Sequence, residues 1–443
     1  MNDWYEAEQR VERAQELFAQ QKWQEALDEL RAAIALNPFN SAWHFNLGLV
    51  LDELQRHQEA VAAYQMALQI EPDDVEALYR AGMGLLRLAR FEDALAAFNQ
   101  IQRLDATFEP AYCASIIAHT ELGDHEQAEQ MFYLARQYKD DCPHCYANIA
   151  ISLRQRRQID KAIYCWQKTL DLDESHPEAH LRLAEALWQK GELEQARQHY
   201  LQELRLNPGD VHTLLDLGNL LADMGRDDEA GEKFRRAIEL SPQEPATHLN
   251  YGRWLLMSNR LEEARNALSH TIQLDPRYPG AQLYLAEVCI RHRDILGARR
   301  HLRCELKLGP EDPRILRELS GLLLDTGLRR AAVACLRRLV RLDPEDPAAW
   351  QNLGAACFLT GRFDEGKGCC QEALRLDSEQ TVAMYNLALA HEREGDYARA
   401  EAWIRHALAT SPGDALIQRM ALRLRLLGWW RWIGRIFNRT NSE

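Results

Sequence analysis

Several features that mark membrane or secreted proteins are missing from these 443 residues. No uninterrupted apolar run reaches the length of about 18 residues that a membrane-spanning helix needs. The opening residues MNDWYEAEQR contain neither a basic nor an apolar stretch, so we expect no secretory signal. The 10 cysteines have irregular spacing, which predicts reduced thiols in a cytoplasmic protein rather than a disulfide framework.

Motifs that perform catalysis or bind a cofactor are also absent. We find no metalloprotease helix motif, no dinucleotide fingerprint and no nucleophile elbow. The stretch from Gly361 to Gly368 is similar to a phosphate-binding loop, but no Ser or Thr follows Lys367. The sequence therefore predicts a protein that is not an enzyme and needs no cofactor.

The charge balance narrows the choice of partner. The formal net charge is −14, and the acidic excess lies in the first two thirds of the chain. Nucleic acid is disfavoured as the main partner, because its binding needs a basic surface. Electrostatic steering instead favours a basic protein or peptide.

The prolines are spaced by a period of 34 residues, which divides residues 7–414 into twelve repeats without an insertion or deletion. Eight of the 15 prolines stand at repeat position 32. The other seven stand at repeat position 1 or 2, where a helix tolerates proline in its first turn. Each repeat is therefore expected to begin one helix near position 1 and to end another before position 32. The prolines at position 32 are Pro38, Pro72, Pro208, Pro242, Pro276, Pro310, Pro344 and Pro412.

Small residues confirm the register of the repeat. Position 20 is alanine in every repeat except one, where it is Gly366, and position 8 is small except at Ile116. Large apolar residues surround both positions, which predicts two closely packed helices. Glycines at position 15, such as Gly123 and Gly225, are typical of the end of the first helix.

This pattern resembles the tetratricopeptide repeat over residues 7–414. The resemblance implies an all-α fold of antiparallel helix pairs stacked into a right-handed superhelical solenoid, and a non-catalytic scaffold for protein–protein interaction. The first helices would line the concave groove. Outside the array we assign residues 1–6 to an N-terminal extension, residues 415–427 to a capping helix, and residues 428–443 to a Trp/Arg-rich tail.

The resemblance also implies which residues face the groove. Position 6 carries asparagines, whose donor and acceptor could bond the backbone of an extended peptide. Apolar residues lie between them, and this mixture is typical of a surface for a peptide or an amphipathic helix, although it equally fits self-association or packing between repeats. The predicted groove residues are Asn46, Asn148, Asn250, Asn352, Asn386, Phe45, Tyr79, Leu181, Trp188, Leu215 and Leu249.

The stretch Cys142-Pro143-His144-Cys145 falls at the corner between two repeats, where Pro143 opens a helix. Two ordinary free cysteines, a redox-sensitive pair and a metal site are all consistent with this spacing. No strand precedes it, so the context of a thioredoxin-like motif is missing. His176, one repeat after Cys142, is the further residue that a metal or thiol-redox sensor would use.

The tail combines tryptophan and arginine, as interfacial segments do. It is too short and too charged to cross a membrane. Two hypotheses remain: a packed cap, or an anchor to a partner or to the inner face of a membrane, which would make the protein a peripheral membrane assembly factor. The residues concerned are Trp429, Trp430, Arg431, Trp432, Arg435 and Phe437.

Overall fold

The computed structural model describes the backbone of residues 2–440 and the side chains of residues 4–427. Within these limits the chain forms 25 helices and no strand. It divides into two compact units, Met1–Thr213 (the N-terminal unit) and Leu214–Glu443 (the C-terminal unit). The predicted all-α fold is confirmed.

Each 34-residue repeat contributes two helices joined by a short turn. The first helices are α1 (Asn2–Ala19), α3 (Ser41–Glu53), α5 (Val75–Arg87), α7 (Glu109–Glu121), α9 (Pro143–Gln155), α11 (Ala179–Lys190), α13 (Val211–Asp223), α15 (Pro245–Met257), α17 (Ala281–Arg291), α19 (Pro313–Asp325), α21 (Pro347–Leu359) and α23 (Thr381–Arg393).

The second helices return against the first. They are α2 (Trp23–Leu36), α4 (His57–Ile70), α6 (Phe91–Leu104), α8 (His125–Tyr138), α10 (Ile159–Leu172), α12 (Leu193–Leu206), α14 (Asp227–Leu240), α16 (Leu261–Leu274), α18 (Ile295–Leu308), α20 (Arg329–Leu342), α22 (Phe363–Leu376) and α24 (Tyr397–Thr410). A further helix, α25 (Ala415–Thr440), follows the last repeat.

The small residues lie where the two helices of a repeat approach each other most closely. A Cβ atom at Gly82 would lie 2.4 Å from Cε1 of Phe98, so only glycine leaves room for this ring. A Cβ atom at Gly354 would lie 3.1 Å from the carbonyl oxygen of Gly366, which places positions 8 and 20 side by side. Every position-20 alanine is fully buried. The close packing expected from the register is thus present.

The turn between the two helices has the same backbone in every repeat. Position 15 has a positive φ in all twelve repeats, at Gln21, Gln55, Ala89, Gly123, Arg157, Gly191, Gly225, Asn259, Arg293, Gly327, Gly361 and Gly395. In the third repeat the Arg90 N–H donates to the carbonyl oxygen of Leu85 at 2.9 Å, which closes the helix end. The glycines therefore mark a turn that the other residues adopt with strain.

This strain yields a prediction for Ala89, which is exposed and has a φ of 55°. A left-handed residue with a Cβ costs about 1–2 kcal/mol, whereas glycine adds about 0.4–1 kcal/mol of entropy to the unfolded chain. We expect Ala89→Gly to raise the free energy of unfolding by about 0.5–1 kcal/mol, measured by urea unfolding. The matched reverse change, Gly225→Ala, should lower it. A less stable Ala89→Gly protein would contradict this account of the turn.

Helix α25 covers the end of the last repeat. Its residues Ile417, Met420 and Leu424 are buried and pack in one cluster with Ile404 and Ala407 of α24. These contacts keep the apolar residues of α24 out of water, and the capping role assigned to residues 415–427 stays a prediction. The helix runs without a break through the sequence boundary at residues 427 and 428.

Candidate binding surface and thiol cluster

Consecutive first helices lie side by side within each unit, as α5, α7 and α9 do in the N-terminal unit and α15, α17 and α19 in the C-terminal unit. We call the surface that the first helices of one unit share the first-helix face of that unit. It is the surface that sequence reasoning expected to bind a ligand. Each of these two groups of helices lines a cavity of about 390 Å³ that is open to solvent.

The cavity of the N-terminal unit combines apolar, amide and thiol groups. Tyr79 and Met83 of α5 line one side, and His144 and Asn148 of α9 line the other. Cys113 of α7 forms part of its floor. Two of these residues, Tyr79 and Asn148, were expected at the groove from the sequence.

The cavity of the C-terminal unit is more highly charged. Arg253, Tyr284, Arg317 and Glu318 line it, and Met257 lies at its edge with 55% of its surface exposed. Burial raises the pKa of the Tyr284 hydroxyl to about 12, so this residue stays neutral. Both signs of charge beside apolar surface suit a peptide that carries charged and apolar side chains.

The asparagines of position 6 lie on the first helices, but they differ in their partners. Asn148 Nδ2 donates to the carbonyl oxygen of Cys113 at 3.1 Å, and Asn250 Nδ2 donates to that of Ala246 at 2.9 Å. Asn386 Nδ2 is buried and has no partner among the described residues. Asn46 lines a small cavity between α1, α2 and α3, and Asn352 is half-buried on α21. The Asn148 amide thus joins α9 to α7, whereas the Asn250 amide bonds within α15.

The apolar residues expected at the groove are less exposed than residues of a free surface would be. Leu181 and Leu215 are buried, and Trp188 and Leu249 are half-buried. Ring contacts hold the aromatic members: Phe45 lies 5.6 Å from Tyr64, and Tyr79 lies 5.5 Å from Phe108, between ring centroids. The rings of Phe45 and Tyr79 thus pack against neighbouring aromatic residues, and the role of these residues in binding a ligand stays a prediction.

A cluster of one carboxylate and three thiols lies beside the N-terminal cavity. Glu109, Cys113, Cys142 and Cys145 place one oxygen and three sulfur atoms within 4.8 Å of one another. Cys145 Sγ donates to Glu109 Oε1 at 3.0 Å, and the Cys145 N–H donates to Cys142 Sγ at 3.4 Å. We call these four residues the thiol cluster.

Hydrogen bonds among the three thiols lower the pKa of Cys142 and raise those of the other two. Hydrogen bonds from Cys113 and Cys145 lower the pKa of Cys142, which also caps the N-terminus of α9. Hydrogen bonds to Cys113 and Cys142 raise the pKa of Cys145, and burial raises that of Glu109. The pKa shifts therefore make Cys142 the most acidic of the three thiols.

The structure brings Cys142 and Cys145 together but does not bring His176 to them. The His176 ring nitrogen Nε2 instead lies 2.8 Å from Nδ1 of His144. Sequence reasoning missed Glu109 and Cys113, which lie one repeat earlier. Their spacing of four residues places both on one face of α7, and this signal was available once the register was known.

The expected anchor in the tail lies outside the described side chains. This concerns Trp429, Trp430, Arg431, Trp432, Arg435 and Phe437, so the choice between cap and anchor for this segment stays a prediction. Within the described residues no helix is both long enough and apolar enough to cross a membrane.

Comparison with protein families gives three matches. The family described as tetratricopeptide repeat matches residues 11–75, 317–380 and 360–415, and the one described as TPR repeat matches residues 152–191. The C-terminal domain of cilia and flagella-associated protein 70 matches residues 177–342. A comparison with curated protein sequences gave no match.

Solved structures with similar helix arrays include yeast Tom70, with 15% identity over 97% of this chain and 96% of that chain and a TM-score of 0.44. The Cut9–Hcn1 hetero-tetramer of the APC/C shares 16% identity over 93% and 95%, with a TM-score of 0.43. YrrB, described as a TPR protein with an unusual peptide-binding site, shares 21% over 44% and 98%, with a TM-score of 0.39. These values are too low to carry a functional argument.

Proposed function

Because this chain belongs to the tetratricopeptide repeat family, we propose that it is a non-catalytic scaffold that binds a protein partner on the first-helix faces of its two units. The partner presents an extended peptide or an amphipathic helix. The observation that carries the proposal is the pair of open cavities on these faces, one in each unit. Their linings combine apolar and polar side chains, as peptide-binding surfaces do.

The chemistry of the C-terminal cavity supports a peptide with side chains of more than one kind. Arg253 and Arg317 offer guanidinium groups, while Glu287, Glu318 and Asp325 offer carboxylates. Met257 adds flexible apolar surface that adapts to different partner shapes. The overall charge of −14 favours approach by a basic segment.

We expect Met257→Glu to weaken capture of the partner by about tenfold or more, because it places a charge in the apolar part of the contact. The measurement has two steps. Partners retained by the full chain are identified by mass spectrometry, and the affinity of the identified segment is then measured by calorimetry for each variant.

Met66→Glu is the matched control. Met66 is also an exposed methionine, with 42% of its surface accessible, but it lies on α4, a second helix. Unfolding curves of both variants should match the wild type, since neither residue is buried. Equal loss of binding in both variants, or no loss in either, would count against the first-helix face of the C-terminal unit as the binding surface.

A further inference from the structure

We propose that Glu109, Cys113, Cys142 and Cys145 form a binding site for a thiophilic divalent cation of the Zn²⁺ type, independently of peptide binding. Three sulfur atoms and one carboxylate oxygen lie within 4.8 Å of one another. Thiolate and carboxylate are ligands that Zn²⁺ takes in four-coordinate sites. Among the described residues this is the single group of three or more such ligands that meets this spacing.

The geometry requires little movement to hold an ion. In a tetrahedral zinc site with bonds of about 2.3 Å, the ligand atoms lie about 3.8 Å apart. The four atoms of the thiol cluster lie within 4.8 Å of one another, so closure to this spacing needs a movement of about 1 Å at most. Binding would replace the Cys145 proton, which now joins Sγ to Glu109 Oε1 at 3.0 Å, and release the thiol protons to solvent.

The four residues come from two consecutive repeats. Glu109 and Cys113 stand one turn apart on α7, while Cys142 caps α9 and Cys145 lies in its first turn. A bound ion would therefore clamp the first helices of two neighbouring repeats together. The N-terminus of α9 carries a partial positive charge, which favours the thiolate form of Cys142, the residue that caps it.

The thiols of the cluster are buried, and a neighbouring side chain holds one of them in place. Cys113, Cys142 and Cys145 are all buried, with Cys145 only 1% exposed. Asn148 Nδ2 donates to the Cys113 carbonyl oxygen at 3.1 Å and lies 3.5 Å from its Sγ, so it orients this ligand. Glu109 is half-buried, and together with Cys113 and Cys142 it lines the cavity, which opens the cluster to solvent.

The experiment uses the full chain, purified with a non-thiol reductant, stripped of metal and titrated with Co²⁺ and then Zn²⁺. We expect one equivalent of Co²⁺ to bind, with the sulfur-to-cobalt charge-transfer and tetrahedral absorption bands, and Zn²⁺ to displace it. Zn²⁺ should also raise the melting temperature, because it binds the folded state alone. Cys145→Ser should weaken Co²⁺ binding and lower the intensity of the charge-transfer bands, because two thiolates remain, and Glu109→Gln should weaken Zn²⁺ binding by about tenfold or more.

The matched control is Cys165→Ser, which changes a buried thiol on α10 of the same unit and should leave binding intact. If Cys145→Ser does not fold by circular dichroism, Asn148→Ala replaces it, with an expected loss of about 10–100-fold in Zn²⁺ affinity. Three results would overturn the proposal: no stoichiometric binding by the reduced chain, binding that the cluster variants leave unchanged, or a Cys142–Cys145 disulfide that persists under the reductant.

Discussion

Replacing Phe98 by alanine should lower the free energy of unfolding by about 3–5 kcal/mol, the range measured for large buried aromatic residues. Phe98 is fully buried on α6 and fills the space above Gly82. Its ring also lies 6.3 Å from that of Tyr79, between centroids. Alanine leaves a cavity at this point, because the helices that surround it are held by the same contacts in the neighbouring repeats.

The loss should be local, since the stability of a repeat array is a sum over repeats and nearest neighbours. Urea unfolding measures the loss in free energy of unfolding. Hydrogen exchange should show faster exchange in residues 41–142, which are the third repeat and its two neighbours. Phe39→Ala is the control, because Phe39 is 81% exposed and its removal should change stability by less than about 0.5 kcal/mol. A Phe98→Ala protein as stable as the Phe39→Ala protein would be incompatible with this packing.

The second large effect is expected at Ala230, the position-20 residue of the seventh repeat. Ala230 is fully buried on α14, so the three additional carbon atoms of leucine have no free space. Overpacking of this kind costs about 1–3 kcal/mol. The same substitution at Ala334, which is exposed on α20, should be nearly neutral because leucine is a good helix former. Equal melting temperatures for the two variants would argue against close packing at position 20.

The helix pairs could be predicted from the sequence because their signals are local. Proline cannot continue a helix, and small residues must stand where two backbones approach, so the period of 34 residues already defined the repeats. Pro143, Pro245, Pro313 and Pro347 do each begin a first helix. The glycines at position 15 predicted the end of the first helix, and the structure adds that this position has a positive φ in every repeat. At Ala89 a residue of another type adopts the same turn, because the hydrogen bonds of the helix end outweigh its strain.

The candidate site could be predicted only in part, because its members are far apart in sequence. Cys142 and Cys145 were suggested by their own spacing, whereas Glu109 and Cys113 join them through the packing of α7 beside α9. His176 was expected to lie close to Cys142 because it stands one repeat later. The structure pairs it with His144 instead, whose Nδ1 lies 2.8 Å from Nε2 of His176.

The sequence alone determined the repeat length, the all-α fold and the residues that separate the helices, since these follow from backbone sterics and from side-chain volume at fixed spacing. Only the tertiary structure decided which polar groups meet. It paired the Asn148 amide of α9 with a carbonyl oxygen of α7 and brought one carboxylate and three thiols together from two repeats. Such contacts depend on distances between helices, and no local pattern of residues encodes them.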